Sequence, residues 1–541
     1  MVFADFRIKF WYLFCFYLVI MFFLSNLITN NVSAQAIPVG ISENIEGQFR
    51  RSQILGTDSS LVSYMIRPIN SGATVNIKKS FSILPILWRQ QYNTSSAYGT
   101  NDGAIVPAKG YQTLLSAGVF AKYGILSIQF RPEFVFAENR DYRELHETNN
   151  GQAFQNSVSS RLNRIDLPSR FGKDVYHNLS WGQSNIKLTL DPVAISLSNE
   201  NLWWGPGMFN SLLMSNNAPG FKHLSLHTSR PVKTPLGSIE MQLIGGKLEG
   251  SNVHDLEGTV FTAKPGDWRY FSGIVMTWQP KWVPNLFLGF DRSFIIYHND
   301  MAKGIGAYLP VFGGIEKKSF NNDDDTTNDE DSRRRDQYFS LFARWLMPES
   351  KSEVYLQYGR NDFAWDLRDM LVEPEHSRAY IVGYRKLIGI NRPDEYIQLG
   401  IELTQMSGSN TGKVRDQPSW YIHSQVPAGY TNKGQVLGAG AGIDNDQQSL
   451  DISWISGLKR VGLTFVHIMN DENLSRNVTG ERKNWTDLAF IGNYDWTYKN
   501  FIVNSRLGFV RSNNYLYENK ENNPNNNLNN MHLQLGLLYN L

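Results

Sequence analysis

The chain of 541 residues holds one cysteine, Cys15, and that residue lies inside an apolar N-terminal stretch. Downstream of that stretch no disulfide and no Cys-based metal site is available. Long apolar runs are just as scarce. Trp11 to Leu24 is the single long uncharged run, and no apolar 20-mer follows it, which excludes helical membrane spans. Charge of one sign is lacking too: 52 basic and 50 acidic side chains leave a net +2. That balance gives no strong pull toward nucleic acid or anionic lipid. No Walker A loop, G-x-S-x-G elbow or HExxH pattern is present, so common nucleotidase, hydrolase and zinc-protease chemistries have no sequence support.

What is present points to export. Arg7 and Lys9 form a basic start, and Trp11 to Leu24 an apolar core. Val32-Ser33-Ala34 and Ala34-Gln35-Ala36 offer small-residue cleavage points, so residues 1–34 are expected to be a signal peptide. Aromatics abound, with 14 Trp, 25 Tyr and 31 Phe, yet mean hydropathy is only −0.34. That combination suits strands with one apolar and one polar face.

From about residue 270 the joins between such strands alternate in length. Tight joins fall at Pro280–Asn285, Met347–Ser352, Ile388–Asp394, Ser456–Lys459 and Lys499–Asn500; long ones at 298–336, 361–377, 407–446, 471–484 and 513–528. An up-and-down outer-membrane barrel sorts its loops this way, because one rim faces the periplasm and the other the outside. Within 396–405, Ile397, Leu399, Ile401 and Leu403 oppose Gln398, Gly400, Glu402 and Thr404. The same period of two recurs in 486–498 and 501–510. Counting back from the C-terminus predicts about eighteen strands over 76–541, an even number with both ends periplasmic. The last eight residues, Gln534 to Leu541, resemble the C-terminal signal read by the barrel-assembly machinery. Residues 35–75 do not alternate; Glu43 to Leu55 is expected to form a short helix in a periplasmic capping or plug segment. The fold class is therefore all-β, a transmembrane antiparallel barrel in the outer membrane with a partly helical plug.

The stretch Asn201-Leu202-Trp203-Trp204-Gly205-Pro206-Gly207, followed by Ser215-Asn216-Asn217-Ala218-Pro219-Gly220, resembles the signature of the Wzi capsule-assembly family. Ile165-Asp166-Leu167-Pro168-Ser169-Arg170-Phe171-Gly172 and Gly429-Tyr430-Thr431-Asn432-Lys433-Gly434-Gln435 agree with it. The resemblance runs from about residue 80 to the end. It implies an eighteen-stranded barrel closed by helices on the periplasmic side and acting as a lectin, neither transferase nor hydrolase. Its partners would be capsular polysaccharide or exopolysaccharide, together with outer-membrane lipid; no cofactor is called for. A channel for small polar solutes or saccharides is the alternative.

Loop position puts 200–221 on the external side. There Trp203 and Trp204 could stack on sugar rings while Asn216 and Asn217 bond hydroxyls. The competing reading is a Gly/Pro-shaped turn with both Trp packed against the barrel wall. Arg333, Arg334 and Arg335 could pair with uronate carboxylates, beside an acidic run from Asp323 to Asp331 whose spacing matches no calcium loop. Trp268 and Trp420, near strand tops, are further candidates for polysaccharide or for an aromatic girdle. His423-Ser424 lacks an oriented third group for nucleophilic catalysis, so no catalytic residue is assigned. Glu240, Arg344, Glu402 and Arg506 are expected to face a wet, ion-paired lumen.

Overall fold

A computed structural model describes the chain apart from residues 1–35, 41–42, 59, 71–78, 149–151, 254–261, 313–333, 362–374, 391, 393, 409–418, 472–473, 475–483, 519–525 and 541. The signal-peptide segment, the acidic run and Arg333 lie outside the described residues.

The chain closes into one antiparallel barrel. Its eighteen strands are β1 Lys79–Asn93, β2 Gly110–Tyr123, β3 Leu126–Phe130 with Glu133–Ala137, β4 Tyr176–Ser180 with Asn185–Leu190, β5 Val193–Ser198, and β6 Lys222–Thr228 with Val232–Thr234. They continue as β7 Gly237–Leu248, β8 Arg269–Pro280, β9 Leu286–Tyr297, β10 Arg335–Met347, β11 Ser352–Asn361 and β12 Arg378–Gly389. The last six are β13 Glu395–Gln405, β14 Asp446–Ser456, β15 Lys459–Asn470, β16 Trp485–Tyr498, β17 Phe501–Asn513 and β18 Leu528–Tyr539. β18 pairs with β1, His532 opposite Asn93 through Tyr539 opposite Ile86. Closure leaves no edge strand.

Three strands are each split in two, and prolines mark two of the three breaks. Pro132 interrupts β3 and Pro231 interrupts β6, since proline donates no ladder hydrogen bond. Pro85 lies where the β1–β2 register shifts between Leu84 and Leu87. The faces alternate as the sequence requires: Ile401 is 45%, Phe490 50% and Leu507 54% exposed to the surroundings, while Glu402 and Asn493 are 1% and 6% exposed.

One stretch breaks that alternation. Arg292 on β9 lies between Ile274 and Phe339 on the outward face, yet it is buried. The segment after β9 folds back down the outer wall and covers it. Val311 packs on Ile274 and Phe294, and its carbonyl accepts from Arg292 Nη1 at 3.1 Å. Tyr270 Oη donates to Tyr308 O at 2.9 Å, which fixes the fold-back.

Inside the barrel, the expected helix is α1, Glu43–Ile54. Its buried face is polar rather than apolar. Arg50 donates to Pro206 O at 2.7 Å and pairs with Glu353 at 3.0 Å. Gln53 Nε2 donates to Val62 O at 2.7 Å and its Oε1 accepts from Arg344 at 2.8 Å. Arg51 donates to Gly457 O at 3.2 Å, and Asn44 donates to Leu458 O. These last contacts place α1 at the tight-turn end. A second helix, α2, spans Gln152–Leu162.

Candidate polysaccharide-binding site

The 199–221 loop starts from the long-loop rim but turns inward. Trp203–Trp204 forms a two-residue antiparallel ladder with Ile66–Arg67 from the N-terminal segment. Gly205 then turns the chain at φ +101°, and a Cβ on Gly207 would sit 1.9 Å from Asn210 O, so glycine is required at both positions. Glu402 reaches in from β13 and gathers the turn. Its carboxylate accepts the backbone N–H groups of Met208, Phe209 and Asn210 at 2.6, 3.1 and 2.8 Å and the Tyr355 hydroxyl at 2.7 Å.

A second inward loop lies across the first. Tyr421 Oη donates to Leu212 O at 2.8 Å and accepts from Ala439 N at 2.8 Å. Arg269, buried at the top of β8, donates to Gly429 O at 2.7 Å and Glu249 O at 3.1 Å, tying this loop to the rim. Tyr338, Trp420, Tyr421 and Tyr430 close the centre, with the Tyr338 and Tyr430 ring centroids 4.3 Å apart. The expected wet lumen is therefore filled here. Arg344 pairs with Glu353 at 2.7 Å as an ion-paired lining predicts, whereas Glu402 and Glu240 hold backbone amides of the plug instead.

The candidate residues divide by accessibility. Trp203 and Trp204 are 3% and 0% exposed; Arg67 lies 4.7 Å from the Trp203 ring centroid, and Trp204 Nε1 donates to Gln242 at 2.9 Å. Both belong to the packed interior, as the turn reading expects, and neither leaves a face for a sugar. Asn216 is buried, donating to Asn101 O at 2.7 Å and accepting from Asn201 at 2.8 Å. Asn217 is half-buried and donates to Val436 O at 3.1 Å. Trp420 is buried, with Nε1 bonded to Arg378 O at 3.2 Å. His423 Nδ1 accepts the amides of Gln425 and Val426 at 3.3 and 3.1 Å, a turn-stabilising role.

Trp268, Arg334 and Arg335 remain reachable. Trp268, half-buried at the external rim, stacks on exposed His298 with centroids 4.5 Å apart and planes 22° from parallel. Lys247 Nζ lies 5.8 Å from the Trp268 ring. Lys247 and Lys433 both approach Glu249, at 3.5 and 3.6 Å, and Arg334 pairs with Asp300 at 3.3 Å. His298, Lys247 and Lys433 escaped the sequence reading. The pairing of Arg269 with Tyr297 is what joins Trp268 to His298, and no local motif records a cross-strand register. Arg335 lies over Phe294 on the outer wall, 4.9 Å from its centroid.

This architecture defines an outer-membrane β-barrel plugged by its own N-terminal segment and inward-folded loops. Residues 90–527 match the capsule assembly protein Wzi family, and the chain belongs to that family. Among solved structures it is similar to Wzi of Escherichia coli, described as an outer-membrane protein involved in group 1 capsule assembly and a carbohydrate-binding β-barrel. That likeness has a TM-score of 0.61 at 12% identity, covering 94% of this chain and 100% of the other. Acinetobacter baumannii OccAB1 is a more distant likeness, with a TM-score of 0.41 at 10% identity, covering 85% of this chain and 96% of the other. No curated protein matches.

Proposed function

We propose that this chain binds capsular or exported polysaccharide at the cell surface and anchors it there without altering it chemically. The Trp268–His298 stack at the external rim carries the reading. It offers an aromatic face to a sugar ring, with Lys247 and Lys433 close enough to meet acidic sugars. Family membership and the description of the Escherichia coli relative support it. The segment from 35 to about 75 would cap the periplasmic mouth, in keeping with the contacts of Asn44 and Arg51 in α1 to the tight turn at Gly457 and Leu458. The channel reading has less support, because α1 and two inward loops occupy the lumen.

The test is retention of isolated capsular polymer by purified barrel, alongside a deletion strain. The expected result is polymer released to the medium rather than held at the surface. Unchanged surface retention in the deletion strain would sink the anchoring claim.

A further inference from the structure

The plug does not fill the barrel evenly. Between α1 and the wall from β12 to β17 lies a cavity of about 160 Å³, bounded above by the inward-folded Tyr98–Asn101 turn. A buried water needs roughly 10–15 Å³ on this measure, so the space suits several waters or one monosaccharide-sized molecule.

Its charge is one-sided. Six arginines line it against two carboxylates, Glu46 and Asp451. Glu46 pairs with Arg67 at 3.0 Å, and Asp451 with Arg460. Arg50 and Arg385 share the single carboxylate of Glu353 with Arg344. Arg51 gives its hydrogen bonds to neutral oxygens, Asn44 Oδ1 at 2.9 Å and Gly457 O at 3.2 Å. Counting Arg344, Glu353, Glu402 and Asp495 as well, seven guanidiniums meet five carboxylates, an excess of two positive charges. Burial first, then the charges of Arg385 and Arg460, push the Arg51 guanidinium down to about 9. Buried like charges are costly without a counter-charge, and guanidiniums pair best with planar oxyanions.

We propose that this lumenal cavity is a binding site for a small oxyanion, carboxylate or phosphate, of monosaccharide size. The oxyanion could be a free periplasmic solute or an acidic group of the polymer itself, and the two sources share one recognition chemistry. The inference rests on the cavity and does not depend on the external polymer-binding reading.

The experiment uses the full barrel in detergent at near-physiological salt, with glucuronate, inorganic phosphate and uncharged glucose as probes, read by calorimetry and by the heat-unfolding midpoint. Glucuronate or phosphate should bind saturably and raise the midpoint, and glucose should do neither. Arg506→Gln should weaken binding at least tenfold. Gln447→Glu, which adds a like-charged competitor without removing an arginine contact, should do the same if the first variant folds poorly. Arg506→Lys should retain binding, and exposed Glu375→Ala should leave it unchanged. Absence of saturable anion binding, or binding indifferent to both Arg506→Gln and Gln447→Glu, would overturn the proposal. Adding intact acidic polymer separates the sources: displacement of glucuronate identifies the polymer's own acids, and simultaneous binding identifies a free solute.

Discussion

Glu402→Ala should open the barrel from within. The wild-type carboxylate holds three backbone amides and one tyrosine hydroxyl at 2.6–3.1 Å, and the residue is only 1% exposed. Each buried donor left without an acceptor costs about 1–3 kcal/mol. The lumenal cavity borders Met208 and Phe209, so water can reach the orphaned groups, and the low end applies to each. Four donors then destabilise the docked 199–221 turn by roughly 4 kcal/mol, about a thousand-fold in the docked-to-open ratio. Glu402→Gln keeps one carbonyl acceptor and should fall between. The assay is planar-bilayer recording of purified barrel, paired with limited proteolysis from the external side; exposed Glu375→Ala sets the baseline. Opening events should become frequent and the 199–221 region cleavable. If Glu402→Ala gates and digests within about twofold of wild type, the carboxylate is not what holds the plug, and the reasoning from unsatisfied donors is wrong.

Trp268→Ala should weaken polymer binding by about tenfold, the scale of one aromatic contact, without moving the unfolding midpoint; equal affinity would remove the rim stack from the site. Glu353→Gln should lower the heat-unfolding midpoint strongly, because Arg50, Arg344 and Arg385 lose their shared carboxylate. Breaking such a buried group costs about 3–5 kcal/mol, and a midpoint near that of wild type would contradict it. Deleting residues 301–312 uncovers Arg292 on the outer wall and should destabilise the inserted barrel by up to about 4 kcal/mol, measured by refolding into lipid vesicles. Burial pushes the Lys264 amine, on the external loop before β8, down to about 8. Since that lies below the unfolded value of 10.5, the amine's burial costs stability below about pH 8, and the cost is relieved as pH rises toward 10.5. Acylation at pH 8 should therefore mark Lys264 ahead of ordinary surface lysines, and uniform labelling would refute the shift.

The wall of this barrel was legible in the sequence, and its contents were not, for a physical reason. A strand between lipid and lumen must alternate, so Ile397 to Thr404 or Phe501 to Phe509 announces itself locally. Loop parity then places each join on one rim, and that logic recovered all eighteen strands. Inward-folded loops obey no such period. Trp203 and Trp204 admit both an exposed sugar platform and, favoured by the Gly/Pro density, packing against the wall, and the turn that buries them is held by Glu402, some two hundred residues away. Only the glycines hinted at it, since Gly205 and Gly207 demand a turn without saying which way it faces. α1 was legible as a helix, but its buried face was not. In a soluble protein its polar residues would mark the solvent side, but a barrel turned inside out is polar at its centre. Arg50, Arg51 and Gln53 are therefore the buried anchors of the helix. Lumenal carboxylates opposite loop backbones, such as Glu402 and Glu240, are accordingly a better guide to a plugged barrel than any pattern within the plug.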